Sequence, residues 1–120
     1  MKITQLTPML ETQDLKKTVD FYTGILEFEC VGFLGEQGWA RVRKDDVSLM
    51  FSLPNEHRNI PGPIMSGSLY FNTENVDEIW EKLREKCQVC YPIENFEYGM
   101  REFAVFDNNG YLLQFGQELR

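Results

Sequence analysis

The sequence is poor in the residues that mark several common functions. It contains one histidine, His57, and only 12 basic residues against 19 acidic ones, so the formal net charge is −7. Phosphate binding needs clustered lysine and arginine side chains, and this balance therefore argues against a nucleic-acid-binding protein. Two interpretations of the acidic surface stay open: it keeps the protein soluble, or its field favours cationic ligands.

Long apolar runs are also missing. No stretch approaches the roughly 20 apolar residues that a membrane-spanning helix requires, and residues 1–5 lack the apolar segment of a secretory signal. We therefore expect a cytoplasmic protein without a membrane contact. The chain has 120 residues, of which 42% are hydrophobic and 13% aromatic. It is long enough for one domain, or for two small halves that share a core.

The three cysteines, Cys30, Cys87 and Cys90, form an odd set that does not suit a disulfide framework. Cys87 and Cys90 have the CxxC spacing of redox and zinc sites. A redox pair normally opens a helix, whereas this pair follows a predicted one, and a zinc site would need two further ligands. We therefore interpret the pair as structural. His57 lies in a polar loop and is interpreted as solvated rather than catalytic.

The most informative stretch is a predicted β-hairpin near the end of the chain. Two β-rich runs, residues 101–106 and 111–115, flank Asp107-Asn108-Asn109-Gly110, and an Asn-Gly pair suits the positive φ angles of a tight turn. Strand alternation puts Gln114 on the face opposite the apolar residues Leu113 and Phe115. Gln114 therefore points away from the core and towards whatever the other face encloses.

The rest of the chain shows two similar halves. Residues 12–15 (TQDL) match residues 73–76 (TENV) at an offset of 61, and the same offset aligns Val19 with Trp80 and Thr7 with Ser68. The pattern predicts strands over residues 3–11, 29–35, 38–43, 47–52, 66–72 and 88–91, helices from Asp14 to about residue 25 and over residues 76–86, a proline-rich linker over residues 54–65 and a loop over residues 92–99. Asn75 and Glu78 have the spacing of a capping box.

We therefore predict an α+β fold of two tandem βαβββ modules, over residues 1–53 and 66–120. Their curved mixed sheets would surround a cup, with the helices on the outer face. This duplication resembles the vicinal oxygen chelate superfamily, which includes glyoxalases, bleomycin-resistance proteins and dioxygenases. DLKKTVDFYTGIL at residues 14–26 and DNNGYLLQF at residues 107–115 carry the resemblance, which covers the whole chain.

Within that superfamily, YGMREFA at residues 98–104 is most similar to the metal-free bleomycin-resistance proteins. The resemblance implies a homodimer whose clefts hold a bulky cationic drug such as bleomycin without chemistry. Enzymes of the superfamily bind a divalent metal through His or Glu, and those positions fall here at Thr7, Ser48, Ser68 and Gln114. Neutral hydroxyl and amide oxygens are weak ligands for a first-row metal. We therefore expect no metal and no other cofactor.

Strand alternation predicts a set of ligand-binding side chains in the cup. They are Trp39, Ser48, Met50, Ser68, Tyr70, Tyr98, Met100, Glu102 and Gln114. Aromatic rings provide stacking and cation–π attraction, and methionine adapts to the shape of a ligand. Two alternatives stay open: Glu102 and Arg101 form a surface charge pair, or Tyr98 and Met100 lie in a dimer interface.

The leading functional hypothesis is a metal-independent binding protein that sequesters a small cationic or aromatic molecule in a dimer cleft and confers antibiotic resistance. The second is a glyoxalase- or dioxygenase-like enzyme, an isomerase or lyase, that acts on a small organic substrate. A metal-free version would use Glu102 as a base, since a carboxylate in an apolar cup can have a raised pKa. The third is an interaction module that receives a peptide. The fold alone does not choose among them.

Overall fold

A computed structural model describes residues 1–55 and 64–120. His57 and most of the predicted linker lie outside the described residues. The chain divides into two compact units, Met1–Pro63 and Ile64–Arg120, and each contains one helix and one open, four-stranded mixed sheet. In the described ranges, no helix is long and apolar enough to cross a membrane.

The first unit has the predicted βαβββ order. Its elements are β1 (Met9–Glu11), α1 (Leu15–Gly24), β2 (Glu29–Leu34), β3 (Trp39–Lys44) and β4 (Val47–Ser52), and its strand order is β1-β4-β3-β2. β1 runs parallel to β4, and the other pairs are antiparallel. Asp14 caps α1 as predicted, because its carboxylate accepts a hydrogen bond from the Lys17 backbone N–H at 3.0 Å.

Helix α1 covers one face of this sheet. The ring of Tyr22 packs against Phe51 of β4 at 4.9 Å between centroids and meets Phe28 edge-on at 5.6 Å. Leu49 and Val42 are buried on the same face. Large apolar side chains at alternate strand positions therefore form the core of the unit between helix and sheet.

The second unit repeats this order. Its elements are β5 (Leu69–Asn72), α2 (Val76–Leu83), β6 (Gln88–Asn95), β7 (Met100–Phe106) and β8 (Leu112–Glu118), with strand order β5-β8-β7-β6. Phe103, Val105, Leu113 and Phe115 are buried, and Trp80 of α2 packs on Phe103 at 5.1 Å. Phe115 stacks on both Phe103 and Phe71, at 5.2 and 5.0 Å. The two predicted α+β repeats are confirmed at this level.

Several predicted element ends are wrong. The first strand covers Met9–Glu11 rather than residues 3–11, since only those three residues pair with β4; Pro8 precedes the strand and accepts the Met50 N–H through its carbonyl. β6 runs on through Pro92 to Asn95, which is tolerated because β6 is an edge strand. β8 extends to Glu118. Helix α2 ends at Leu83, before the predicted residue 86.

The predicted closing hairpin is present. Gly110 has a φ of 94°, as the turn requires. The buried carboxylate of Asp107 accepts the backbone N–H groups of Asn109 and Tyr111 at 2.8 and 2.9 Å. The turn is therefore fixed by its own first residue, which sets the register in which Gln114 lies opposite Ala104.

Each sheet has a second face, opposite its helix, which we call the helix-free face. On the first sheet it presents Trp39, Arg41, Ser48 and Met50, and on the second it presents Tyr70, Glu102, Ala104 and Gln114. β2 carries a bulge between Cys30 and Gly32, and β6 carries register shifts between Val89 and Tyr91 and between Tyr91 and Glu94. One extra residue reverses the alternation of side chains beyond the bulge. Gly32 and Tyr91 therefore lie on the helix-free faces of their sheets.

Candidate functional site

The helix-free face of the second sheet is organised around Glu102. This carboxylate side chain is fully buried, although the residues that pair with it, Glu94 of β6 and Gly116 of β8, are not basic. Ionised carboxylates are rarely buried without hydrogen bonds or a counter-charge, because the loss of hydration is expensive. The surrounding side chains must therefore supply the hydrogen bonds that Glu102 has lost from water.

Tyrosine hydroxyls supply those hydrogen bonds. Tyr70 on β5 donates to Oε1 of Glu102 at 2.9 Å, and Tyr91 on β6 donates to Oε2. Gln114 on β8 donates its side-chain N–H to the Tyr91 oxygen at 2.9 Å, and Ser68 donates to the Gln114 carbonyl. The network therefore links all four strands of the sheet through five polar side chains.

Aromatic rings border this network. Phe96 packs edge-on against Tyr91 at 5.5 Å, and Tyr98 stacks on Phe96 at 5.4 Å with the two rings only 13° from parallel. Tyr98 is 64% exposed and Tyr70 is 39% exposed. The site thus presents two accessible phenol groups beside a buried negative charge.

Burial and the carboxylate together hold these tyrosines in the protonated form. Desolvation, followed by the hydrogen bond to Glu102, raises the pKa of Tyr70 to about 12. The same causes raise the pKa of Tyr91, with a smaller opposing effect from the hydrogen bond that Gln114 donates. The pKa of Tyr98 is also raised, first by desolvation and then by the nearby Glu102. All three hydroxyls therefore keep their protons at neutral pH, and Tyr70 and Tyr91 donate theirs to one carboxylate.

Arg101 does not take part in this site. It precedes Glu102 on β7 and so faces the other way, where its guanidinium binds Asp77 of α2 at 2.8 Å and Asn95 of β6 at 3.0 Å. The guanidinium lowers the pKa of Asp77. The alternative that Arg101 and Glu102 form a surface charge pair is therefore wrong. Successive residues of a strand point to opposite faces, and Glu102 is buried.

The residues of this face do not fit a metal centre. In residues 1–55 and 64–120, no three His, Cys, Asp or Glu side chains are grouped so that they could hold a metal ion. Gln114 and Ser68 are hydrogen-bonded to each other, and both oxygens of Glu102 accept tyrosine hydroxyls. One carboxylate with an amide and hydroxyls is a weak donor set for a first-row metal.

The predicted residues of the first unit lie together on its own helix-free face. The Trp39 indole N–H donates to the Met50 sulfur at 3.3 Å, and Arg41 donates to the Ser48 hydroxyl at 3.4 Å. Thr7 precedes β1 and is half-buried. Strand pairing puts Met50 opposite Met9, as it puts Gln114 opposite Tyr70. Met50, rather than Ser48, is therefore the first-repeat counterpart of Gln114.

Met100 shares the helix-free face with Glu102 by strand alternation and is half-buried at the start of β7. The sequence prediction missed Tyr91, Phe96 and Gly116. Tyr91 was assigned to a strand that ended there, and the bulge that turns it towards Glu102 leaves no mark in the sequence. A side chain at position 116 would collide with the Tyr70 hydroxyl, so this glycine leaves the space in which Tyr70 reaches Glu102.

Two other features of the described residues lie apart from this network. A pocket of about 700 Å³ next to the start of α2 has charged walls of both signs, lined by Asn72, Thr73, Glu74, Asp77, Arg101, Gly116, Gln117, Glu118, Leu119 and Arg120. Cys87 and Cys90 are both free thiols. Burial raises the pKa of Cys87, which disfavours the thiolate that redox chemistry requires.

The family model described as the Glyoxalase/Bleomycin resistance protein/Dioxygenase superfamily matches residues 3–115. The chain belongs to this superfamily. Solved structures of similar fold include a glyoxalase/bleomycin resistance protein/dioxygenase from Nocardioides, with a TM-score of 0.80 and 19% identity over 100% of this chain and 86% of that one. TioX from Micromonospora sp. ML1 has a TM-score of 0.74 and 17% identity, over 97% of this chain and 99% of that one.

A third structure of this superfamily fold is the bleomycin-binding protein from Streptomyces verticillus, complexed with copper(II)-bleomycin. It has a TM-score of 0.71 and 23% identity over 96% of each chain. A search of curated protein sequences found no match. At these identities the structures show that this superfamily member shares their fold, and its ligand has to be argued from its own side chains.

Proposed function

We propose that this superfamily member is a metal-independent binding protein for a small cationic or aromatic molecule, and that the ligand docks on the helix-free face of the second sheet. The observation that carries the proposal is the convergence of tyrosine hydroxyls on the buried carboxylate of Glu102. The site combines a negative charge, accessible aromatic rings and fixed polar atoms, which together are the usual make-up of a small-molecule site.

The direction of the hydrogen bonds favours a ligand that donates. A phenol has one proton, and Tyr70 commits that proton to Glu102. The lone pairs that Tyr70 exposes can then only accept, so they match ammonium, guanidinium or amide N–H groups on a ligand. Glu102 strengthens this preference, because its charge acts through a site with little water and raises the electron density of the tyrosine oxygens.

The aromatic rings favour the same class of ligand. Tyr98 is exposed and is supported from behind by Phe96, so a flat ligand can stack on a ring that is already held in place. Ring faces also attract cations by about 0.5–2 kcal/mol, depending on desolvation. Tyr98 and Met100 together provide an aromatic and a thioether surface beside the network, and these residues stay proposed ligand contacts with Ser68, Tyr70, Glu102 and Gln114.

The similarity to the bleomycin-binding protein of S. verticillus supports a glycopeptide drug as the first ligand to test. Catalysis has less support. Along β5–β8, register places Tyr70, Tyr91, Glu94, Ala104, Phe106, Leu112 and Gln114 on the face that carries Glu102. None of these side chains is a histidine or lysine, and the further carboxylate among them, Glu94, is exposed.

The test is a calorimetric titration with metal-free bleomycin in the presence of a chelator, followed by 2-naphthylmethylammonium as a simple aromatic cation. We expect saturable binding at one ligand per protomer. Glu102→Gln removes the charge and should weaken binding of the cation about tenfold or more, since hydrogen bonds and contacts to charged groups contribute about 1.5–3 kcal/mol.

Glu85→Gln is the matched control, because it makes the same change in net charge at an exposed position after α2. It should leave the affinity unchanged. Binding of neutral 2-naphthylmethanol as tightly as the cation, or equal affinities for Glu102→Gln and the parent protein, would contradict the proposal. Turnover of the ligand during the titration would favour the enzyme hypothesis instead.

Three finer parts of the hypothesis stay proposals. The superfamily resemblance favours a homodimer, which sedimentation equilibrium would test against the 14.1 kDa protomer mass. Sequestration of a drug would raise the inhibitory concentration of bleomycin for a bacterium that expresses the protein. A cytoplasmic location would be tested in the same cells by fractionation.

A further inference from the structure

We propose that the helix-free face of the first sheet binds a flat aromatic molecule that carries an oxyanion, either a carboxylate or a phosphate. The residues that form it are Trp39, Arg41, Ser48 and Met50. The proposal does not depend on the proposed function of the second sheet, because it concerns other side chains and a ligand of opposite charge.

Arg41 lies at the centre of this face. Strand pairing puts Met50 of β4 on one side of it and Gly32 of β2 on the other. Both neighbours across the strands are uncharged and one has no side chain, so the half-buried Arg41 rests between a thioether and bare backbone. Arg43 lies on the same face, two residues further along β3. A guanidinium presents five N–H donors in a planar fork and accepts nothing.

Most of those donors have no counter-charge within the sheet. The Ser48 hydroxyl accepts one hydrogen bond at 3.4 Å, which is long for such a bond. Within the described parts of the chain, no acidic side chain forms an ion pair with Arg41, whereas the neighbouring Arg43 reaches Glu29 at 3.9 Å. Arg41 and Ser48 therefore offer donors to a bidentate oxyanion.

Trp39 provides an aromatic surface beside this cation. Its indole N–H is fixed by the Met50 sulfur. Its six-membered ring lies against Gly32, since a side-chain carbon at that position would come within 2.9 Å of the ring atom Cζ3. The indole is thus held on the sheet by contacts at both ends, and a ring of the ligand can stack on it while the oxyanion meets Arg41.

The equivalent positions of the second sheet have the opposite character. Arg41 corresponds to Ala104, Trp39 to Glu102 and Met50 to Gln114, because these residues occupy matching places in the two registers. Tyr91 stands where the first sheet has Gly32. The repeats therefore share a backbone pattern but have opposite charges on their helix-free faces, which supports two ligand preferences rather than one.

The experiment titrates the ¹⁵N-labelled protein with 2-naphthoate and 2-naphthyl phosphate and follows the two tryptophan indole N–H signals, assigned with Trp39→Phe. We expect the Trp39 signal to shift saturably with at least one of these anions and the Trp80 signal to stay in place. Neutral 2-naphthamide should bind at least tenfold more weakly. The preferred anion identifies the oxyanion class.

Arg41→Gln should weaken binding of the preferred anion about tenfold or more. Arg41→Lys keeps the charge but loses the planar fork of donors, so its affinity should lie between those of the parent protein and Arg41→Gln. Lys44→Gln is the matched control: it removes one positive charge from the same strand on the other face and should have no effect. Equal binding of naphthoate, naphthyl phosphate and naphthamide, a stationary Trp39 signal, or unchanged affinity in a folded Arg41→Gln variant would each overturn the proposal.

Discussion

Tyr70 reaches Glu102 because residue 116, on the neighbouring strand, has no side chain. Asn72 of β5 pairs with Gly116, and Tyr70 lies two residues earlier on the same face. A methyl group at position 116 would occupy the place of the Tyr70 hydroxyl oxygen. Gly116 therefore leaves the space that the Tyr70 hydroxyl needs to reach Glu102. The effect of a side chain at position 116 can be measured through the pKa of Tyr70.

The pKa of Tyr70 is raised from 10.0 to about 12 in the folded protein. Between these pH values the folded protein keeps a proton that the unfolded chain loses. The resulting stability is complete below pH 10 and is lost as the pH rises through about 12. We expect the free energy of unfolding, measured with urea at several pH values, to fall over this window. Gly116→Ala should make the fall shallower and lower the pKa of one tyrosine, followed by absorbance at 295 nm.

Gly24→Ala provides the comparison for this substitution. Gly24 ends α1, and a side-chain carbon there would meet no atom within 4 Å. Alanine should leave the alkaline profile unchanged and stabilise the protein by up to about 1 kcal/mol through helix propensity. If Gly116→Ala and Gly24→Ala gave the same pH profile, the proposed role of position 116 would be wrong.

Strand alternation alone was enough to predict that Tyr70, Glu102 and Gln114 share a face. Tyr70 and Gln114 each lie between two apolar residues of a regular strand, and Glu102 precedes the apolar Phe103. Tyr91 could not be found in this way. It follows the bulged residue Cys90, and regular alternation from Val89 would have sent its ring into the core beneath α2. Bulges depend on how two strands pair, and a single strand does not encode that.

At the scale of elements, the two helices begin differently although their sequences match. Asp14 caps α1 with its own carboxylate. Asn75 holds the same position in α2, but its side chain caps no backbone group and donates to Glu78 at 3.1 Å. The first N–H of α2, that of Val76, is instead bound by the side chain of Gln117 from β8 at 3.0 Å. The predicted capping box is therefore replaced by a contact from another strand.

This difference predicts an unequal response to alanine. Asp14→Ala and Gln117→Ala should each reduce the free energy of unfolding by about 1 kcal/mol, because each leaves a helix N–H without its partner. Asn75→Ala should have an effect of about 0.5 kcal/mol or less, as expected for an exposed side chain without a capping bond. Urea unfolding of the three variants at neutral pH provides the measurement.

Gln88→Ala, at the exposed start of β6, is the control for loss of a glutamine and should be close to neutral. A larger effect for Asn75→Ala than for Gln117→Ala would show that α2 depends on its own N-cap after all. Sequence reasoning identified both helix starts from local spacing, but it could not find Gln117. That residue follows Asn75 by 42 positions, and the sheet alone brings it to the helix.

At the scale of the whole molecule, the repeat made the α+β architecture predictable from sequence, while the charge of each helix-free face depended on register. The internal match placed both helices and the hairpins that follow them. Whether Trp39 and Arg41 face the helix or the opposite side depends on how β3 pairs with β4. The amino-acid composition of the chain does not reveal that pairing. The pairing leaves the half-buried Arg41 on one helix-free face and the buried carboxylate of Glu102 on the other.

The net charge of −7 acts on both faces, but in different senses. It reinforces the attraction of Glu102 for a cation and opposes the attraction of Arg41 for an anion.

Salt screens both kinds of interaction, since the Debye length falls from roughly 20 Å at about 20 mM to roughly 4 Å at about 500 mM. Binding of 2-naphthylmethylammonium should therefore weaken severalfold over this range, and binding of 2-naphthoate should change less, because the losses of local attraction and of overall repulsion partly cancel. Calorimetric titrations at four salt concentrations provide the comparison. Equal salt dependence for the two probes would mean that the local charges, and not the field of the whole protein, determine both affinities.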